Sequence, residues 1–302
     1  MKNICVIGSL NMDLVVNVDT MPKPGQTLLG GNFKEVPGGK GANQAVAMAR
    51  LEGNVSMIGK VGNDGFGKAL IEALNSDNVN TNHIYKADCA TGVAFITIDS
   101  NAQNSIVVAP GANFELTKDD IDKNIDCIKN CDIVVIQLET PLETVKYALQ
   151  VSKDLGKYTI LNPAPAVKLD DEIISNVDLL TPNETELEII SGMKIDDEES
   201  IKSAAQKMIE KGVKELIVTL GSKGSLYISK DNSFFKPAYK VDAVDTTAAG
   251  DSFTGALAVA LSNNKSMEEA MDFASKVGAL SVMKEGAQSS LPTLKDVENF
   301  RR

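Results

Sequence analysis

The sequence predicts an α/β protein: a doubly wound, mostly parallel sheet flanked by helices, with a small β-sheet lid. Short β-branched runs alternate with segments of helical periodicity along most of the chain, which is βα order. The helical segments are long enough for the right-handed crossovers that join parallel strands. Two stretches early in the chain break this rhythm and read as β structure of another kind.

Taken in order, Ile4 to Ile7 opens the chain as a strand. Asp13 to Val36 alternates apolar and polar residues around a turn at Pro22, Pro24 and Gly25. Ala42 to Leu51 is helical, Val55 to Ile58 a strand, Gly67 to Asn75 helical, and Gly92 to Val108 a hairpin. The βα rhythm then resumes with strands at Ile133 to Ile136, Thr159 to Leu161, Leu179 to Leu180, Leu216 to Thr219 and Leu226 to Ile228. Helices lie among them at Leu142 to Leu155 and Ser200 to Lys211. Near the end, Phe253, Ala256, Leu257, Ala260 and Leu261 recur at helical spacing, so Ser252 to Leu261 buries one face. The two β excursions, about 13–37 and 91–109, adjoin Asn11 and the run Gly38 to Gly41, where a lid would cover a substrate and exclude water. With no internal repeat or linker, the 302 residues read as a single α/β domain, 1–302.

Composition bounds the function. With 43% hydrophobic and 24% charged residues the chain is an ordinary soluble protein, and its formal net charge of −11 repels nucleic acid and anionic membrane. An anionic nucleotide must therefore be held by local groups. The start, Met1 to Gly8, is a short apolar run soon broken by Asn11 and Asp13, so it reads as a strand and not a signal peptide. No apolar stretch reaches the length of about 18 residues that a membrane helix needs. Cys5, Cys89, Cys127 and Cys131 are scattered, and the only close pair lacks histidine companions, so inert thiols in a reducing cytoplasm are expected. The single histidine, His83, stands in a polar, loop-like stretch and reads as a surface residue. Proton transfer must then rely on carboxylates.

Ligands of such sheets bind beyond the strand C-termini. Polar residues follow several strand ends here: Asn11 and Asp13, Glu139, Asn162, Asn183 and Glu186, Gly221 and Ser222. Asp251 opens the helix after Asp245-Thr246-Thr247-Ala248-Ala249-Gly250. It lies two positions before Phe253, roughly 200° around the helix, and so points off the buried face. The N–H groups of Ala248, Ala249 and Gly250 read as unpaired donors at the positive end of the helix dipole, open to a phosphate. Alone, an Asp in the first helical turn is more often a simple capping charge. Gly38-Gly39-Lys40-Gly41-Ala42-Asn43-Gln44 is not a Walker A loop, because Gly41 and not Ser or Thr follows the lysine. It is either a glycine-rich turn or a site of close backbone approach to a ligand. Asn183-Glu184-Thr185-Glu186 is either a capping turn or a support for hydrated Mg²⁺.

In order, these segments resemble the ribokinase-like (PfkB) sugar kinase family. The resemblance covers essentially the whole chain and rests on Asn11-Met12-Asp13, Gly38 to Gln44, Gln137-Leu138-Glu139, Asn162 to Pro165, Asn183 to Glu186, Thr219 to Gly224, Asp245 to Asp251 and Gly286-Ala287-Gln288. It implies ATP-dependent phosphorylation of D-ribose at O5 to give D-ribose 5-phosphate and ADP, with Mg²⁺ required and K⁺ activating. Asp251 would be the general base, and Ala248, Ala249 and Gly250 the anion hole. Sugar binding would fall to Asn11, Asp13, Gly39, Lys40, Gly41, Ala42, Asn43, Glu139 and Asp251. Nucleotide binding would fall to Asn183, Thr219, Gly221, Ser222, Lys223, Gly224, Gly250 and Ser275, with Glu186 holding Mg²⁺ through water. The K⁺ site would comprise Asp245, Thr247, Ser281, Lys284, Gly286 and Ser290, several through backbone oxygens. The resemblance also implies a homodimer through the lid strands. The Asn-x-Asp order favours ribose; a kinase of 2-deoxyribose or another small sugar, and a catalytically silent sugar-binding relative, are the alternatives.

Overall fold

Alternation within single strands explains how one sheet serves two cores. In the strand Asn3–Ile7 (β1), Ile4 and Val6 join one buried cluster, while Cys5 and Ile7 join another on the opposite face. The structure, a computed structural model, describes residues 2–101 and 103–300. The two ends of the 1–302 span, and Ala102 within the 91–109 segment, lie outside the described residues.

The further strands are β2 (Asn11–Asn17), β3 (Phe33–Gly38), β4 (Asn54–Gly62), β5 (Asn80–Ala87), β6 (Gly92–Ile98), β7 (Asn104–Ala109), β8 (Ile133–Ile136), β9 (Tyr158–Leu161), β10 (Leu179–Leu180), β11 (Glu215–Thr219), β12 (Gly224–Ser229) and β13 (Ser233–Pro237). The helices are α1 (Lys40–Arg50), α2 (Gly65–Ser76), α3 (Lys118–Lys123), α4 (Ile125–Lys129), α5 (Leu142–Asp154), α6 (Asp171–Ile174), α7 (Glu184–Ser191), α8 (Glu198–Glu210), α9 (Ala249–Ser262), α10 (Met267–Ser281) and α11 (Leu294–Asn299).

The large sheet runs β13-β12-β11-β10-β9-β8-β1-β4-β5. Every pairing from β5 to β11 is parallel, and only the β11–β12 and β12–β13 pairs are antiparallel. Its central strands are apolar without a break, as Ile133-Val134-Val135-Ile136 shows, because helices cover both faces. One face packs α1, α2, α9 and α10, the other α5, α7 and α8. A second, four-stranded sheet runs β3-β2-β6-β7, with β2 antiparallel to β3, parallel to β6, and β6 antiparallel to β7. The α/β class and the separate small sheet are those the sequence predicts. Among the described residues no helix is long and apolar enough to cross a membrane.

Two expectations are corrected, for His83 and for the one-sidedness of α9. His83 lies on β5 and not in a loop, and its Nδ1 pairs with Asn124 Oδ1 at 2.7 Å. Cys5 and Cys127, far apart in sequence, are the thiols in contact, with Sγ atoms 3.9 Å apart. Helix α9 is not one-sided: residues from Asp251 to Ala260 are all buried. It is wedged between α1 and α10, and its small residues permit the approach. A Cβ at Gly255 would lie 2.8 Å from the Ala47 Cβ.

Candidate active site

The site begins where β1 ends. The chain turns at Gly39, whose φ of +90° is open to glycine, and an added Cβ there would lie 2.7 Å from the Asn11 nitrogen. That turn sets the first turn of α1 against the β1–β2 connection. The Gly41 N–H donates to Ser9 Oγ and the Ala42 N–H to the Ser9 carbonyl, so both residues pack against the strand end. Their small size thus serves backbone packing. Glu139, beyond β8, accepts from Ser9 Oγ at 2.6 Å and from the Lys40 N–H at 3.0 Å, which caps α1 with a carboxylate. Asn11 on β2 is oriented by Asn113, whose Nδ2 donates to Asn11 Oδ1 at 2.7 Å. Asp13 is buried beside Gly38, where a Cβ would lie 2.3 Å from its Oδ2.

Asp251 lies in the first turn of α9, 6% exposed, and does not point to solvent as its helical angle suggests. Asn43 Nδ2 donates to its Oδ2 at 3.0 Å and Gln44 Nε2 to its Oδ1 at 2.9 Å. The correction has a simple cause: the polar face of α9 meets the polar start of α1. At the head of α9, the Ala249 N–H is turned back onto the Thr246 carbonyl at 3.2 Å, so it is not the free donor expected. Among the described residues no acceptor takes the N–H groups of Ala248 and Gly250. Gly250 faces open space.

Electrostatics bind these residues into one set. Burial pulls the Lys40 ammonium down, but Asp251, Glu139, Glu186 and Asp13 outweigh it and hold the group above its ordinary value. Burial, then Glu139 and Asp251, push the Asp13 carboxyl up to about 7. Burial also raises Asp251, although Lys40, Asn43 and Gln44 oppose it. Glu186 is raised by burial and by Asp251, against its hydrogen bond from Asn183. Four carboxylates thus share one lysine in a desolvated space.

The other residues singled out from sequence fall into two groups. Asn183 and Glu186 form a reciprocal capping box on α7, and Asn183 bridges to Thr219 at the end of β11. Gly221, Ser222, Lys223 and Gly224 make the turn from β11 to β12; Lys223 is exposed and pairs with Glu184 at 3.7 Å. Ser275 lies half-buried on α10. The second group joins the 245–248 loop to the chain after α10. Asp245 Oδ1 accepts from the Thr247 N–H, and its Oδ2 from the Gly286 N–H at 2.8 Å. Ser281 Oγ instead turns inward to Ser252 Oγ at 2.9 Å, and Ser290 Oγ donates to the Ala287 carbonyl. Lys284 is exposed. Among the described residues no three His, Cys, Asp or Glu side chains converge in a metal-binding arrangement. Any ion near Asp245 would meet one carboxylate and neutral oxygens, a donor set suited to a monovalent cation. Near Glu186 a divalent ion would rest on few protein ligands and on phosphate oxygens, as Mg²⁺ commonly does.

Sequence reasoning assigned no role to Ser9, Gln44, Asn113, Gln137 or Asn162. Gln44, Gln137 and Asn162 stand inside recognisable motifs, so a signal existed. Ser9 and Asn113 carried none, since their partners lie 130 and 103 residues away.

Comparison with known proteins follows the same lines. The family model described as pfkB family carbohydrate kinase matches residues 1–294. The chain is 43% identical over 300 residues to the ribokinase of Haemophilus influenzae, covering 99% of this chain and 98% of that protein. It is 42% identical over 300 residues to the deoxyribokinase of Salmonella typhi, with the same coverage. The structure of Arabidopsis thaliana ribokinase complexed with ribose and ATP superposes with a TM-score of 0.93 at 33% identity, covering 99% of both chains.

Proposed function

The chain belongs to the pfkB family of carbohydrate kinases, and from that premise we propose that it transfers the γ-phosphoryl group of ATP to O5 of D-ribose, giving D-ribose 5-phosphate and ADP. One observation carries the reading: a buried carboxylate, Asp251, is held by two amides at the head of a helix whose Ala248 and Gly250 N–H groups are open. It has a single lysine and three further carboxylates around it.

In this reading Asp251 accepts the proton of the primary hydroxyl as that oxygen attacks the γ-phosphorus and the bond to ADP breaks. The amides of Asn43 and Gln44 oppose the upward push of burial on this carboxyl and aim it. The Ala248 and Gly250 N–H groups at the α9 dipole meet charge on the transferring group, and Lys40 adds positive charge nearby. Asn11, Asp13, Asn43 and Glu139, with Gly39, Lys40, Gly41 and Ala42 shaping the turn, bind the sugar hydroxyls. Asn183, Thr219, Gly221, Ser222, Lys223, Gly224 and Ser275 line the nucleotide side. Mg²⁺, near Glu186, would neutralise phosphate charge when bound. Asp245 with oxygens of Thr247, Ser281, Lys284, Gly286 and Ser290 would hold K⁺, whose charge would help to order the 245–248 loop away from the substrate. The small sheet, about 13–37 and 91–109, acts as a lid over Asp13 and excludes water. The protein works in the cytoplasm, in keeping with four free cysteines, and pairs as a homodimer through the lid.

A second reading, a kinase of 2-deoxyribose, is favoured by the deoxyribokinase at nearly the same identity. Against it, Asn11 and Asp13 are both buried polar groups, and a sugar lacking a hydroxyl would leave such a group unpaired. The test is ADP release from Mg-ATP with D-ribose, 2-deoxy-D-ribose, D-fructose or adenosine, each in K⁺ and in Na⁺. Ribose-selective turnover stimulated by K⁺ is expected. Preference for 2-deoxyribose would overturn the sugar assignment, and silence on all four would favour a sugar-binding relative without catalysis.

A further inference from the structure

Behind Asp251 lies a chain of buried amides. Gln44 is wholly buried, Gln137 is 1% exposed and Asn162 is 6% exposed. Asn162 Nδ2 donates to the Thr181 carbonyl at 3.2 Å, which leaves its Oδ1 to accept from Gln44 Nε2 at 3.0 Å. The same Gln44 Nε2 donates its other hydrogen to Asp251 Oδ1 at 2.9 Å, and Gln137 Nε2 donates to Gln44 Oε1 at 2.6 Å.

The polarity of this chain is fixed at one end. An amide can be turned end for end, exchanging donor and acceptor. A backbone carbonyl can only accept. The Thr181 carbonyl therefore dictates that Asn162 presents Oδ1 to Gln44, and Gln44 must answer with Nε2. With both Nε2 hydrogens committed, Gln44 offers Asp251 a donor and never a lone pair. Flipping it would set Oε1 against two acceptors. Space for the chain is built in as well: a Cβ on Gly8 would lie 2.1 Å from Gln137 Oε1.

We propose that Gln44, with its amide oriented by Asn162 and Gln137, is a positioning residue for the phosphoryl-transfer step, holding the Asp251 carboxylate in one orientation and favouring its charge with a donated hydrogen bond. The proposal rests on Asp251 being the general base. The relay spans the ends of β8, β9 and β10 and the first turns of α1 and α9, so it ties the base to the ends of central strands of the large sheet. Removing it frees the carboxylate to rotate and takes away one of two amide donors that favour its charge. The charged groups facing Asp251 are Lys40 on α1, Glu139 after β8, Glu186 on α7 and Asp13 on β2, and none of them is altered by a change at position 44.

The experiment is the pH dependence of kcat and kcat/KM for wild type, Gln44→Met, Gln44→Glu and Asp251→Asn, with D-ribose and Mg-ATP. Gln44→Met should lower kcat by about tenfold or more while the sugar KM stays within about threefold. Its acid limb should move to higher pH, and that of Gln44→Glu further still, because a second carboxyl replaces the donor. Lowered thermal stability with unchanged kcat and acid limb would reduce Gln44 to packing and overturn the proposal. If Gln44→Met does not fold, Asn162→Ala removes the orienting acceptor, and the same shift in the acid limb is required of it. Asp251→Asn separates the two readings: full turnover in that variant defeats the base assignment itself, whereas its loss together with a wild-type profile in the Gln44 variants defeats the relay alone.

Discussion

Asp251 accepts one amide hydrogen on each oxygen, and that arrangement decides how a test of its proposed role as base behaves. Asp251→Asn would bring an N–H against one of two donors. Asn43 can turn to relieve it, because its Oδ1 is buried without a partner and would then accept. Folding should therefore survive while kcat falls by roughly 10² to 10⁴, measured by circular dichroism beside ADP release; undiminished turnover would remove Asp251 from the role. Asp13 supplies a second prediction. Burial, Glu139 and Asp251 raise its carboxyl from 3.8 to about 7, so the folded state holds its proton more tightly than the unfolded chain. Its contribution to stability is complete below about pH 3.8 and is lost as pH rises through about 7. The span corresponds to roughly 4 kcal/mol by linkage, an upper figure. In unfolding scans without ligand, Asp13→Asn should gain on wild type as pH climbs from 4 to 8. A constant difference across that range would mean that Asp13 ionises at an ordinary value.

At the scale of elements, two acidic residues tie segments that the backbone ladder alone leaves independent. Asp178, at the start of β10, accepts from Lys153 on α5 at 2.6 Å, from Lys214 at 2.7 Å and from the Thr159 N–H on β9 at 3.0 Å. Burial pushes its carboxyl up, but Lys153, Lys214 and Thr159 outweigh burial and hold it below the ordinary value. The stability it contributes is therefore present above about pH 4 and lost in acid. Asp178→Ala should cost about 3 to 5 kcal/mol in urea unfolding near pH 7 and much less near pH 3; an equal cost at both would show that the charge is immaterial. Asp245 does the same for the 245–248 loop through Gly286. Asp245→Ala should abolish stimulation by K⁺ in the ADP-release assay, and an unchanged response would put the cation elsewhere. Element by element, legibility followed burial. The fully apolar runs, such as Ile133 to Ile136, could be read at once, because a short hydrophobic stretch between turn signals is what a strand covered on both faces requires. Strand β5, with Asn80, Asn82 and His83, was hidden because an edge strand of mixed exposure has neither a helical nor a clean alternating pattern. The polar face of α9 misled for the opposite reason: periodicity shows which side is apolar, and cannot show that Asn43 and Gln44 of another helix cover the polar side. Those contacts span more than 200 residues.

For the molecule as a whole, the small sheet is the part whose surface is least satisfied by its own chain. Its strand register sorts the side chains by face. Asp13 shares a face with Val36, Ala94 and Val108, while Leu14 shares the other with Glu35, Phe95 and Val107. Phe33, Phe95, Ile106, Val107 and Val108 are each 45% to 64% exposed, so neither face is covered along its outer half. Edges β3 and β7 also keep open backbone groups. A monomer rarely leaves so much apolar surface and two free edges together, and a second copy of the same sheet answers both needs at once. Because Asp13 and Asn11 lie on β2, pairing of two lids would also fix the strand proposed to bind the sugar. Sedimentation velocity at micromolar concentration should show a species of about twice 32.2 kDa. Phe95→Glu and Val107→Lys, placed on the face away from Asp13, should each shift it toward the monomer and raise the KM for ribose more than that for ATP. A wild-type protein that sediments as a monomer would sink the dimer. A dimer untouched by either substitution would move the interface to the Asp13 face, where Ile106 and Val108 become the residues to change.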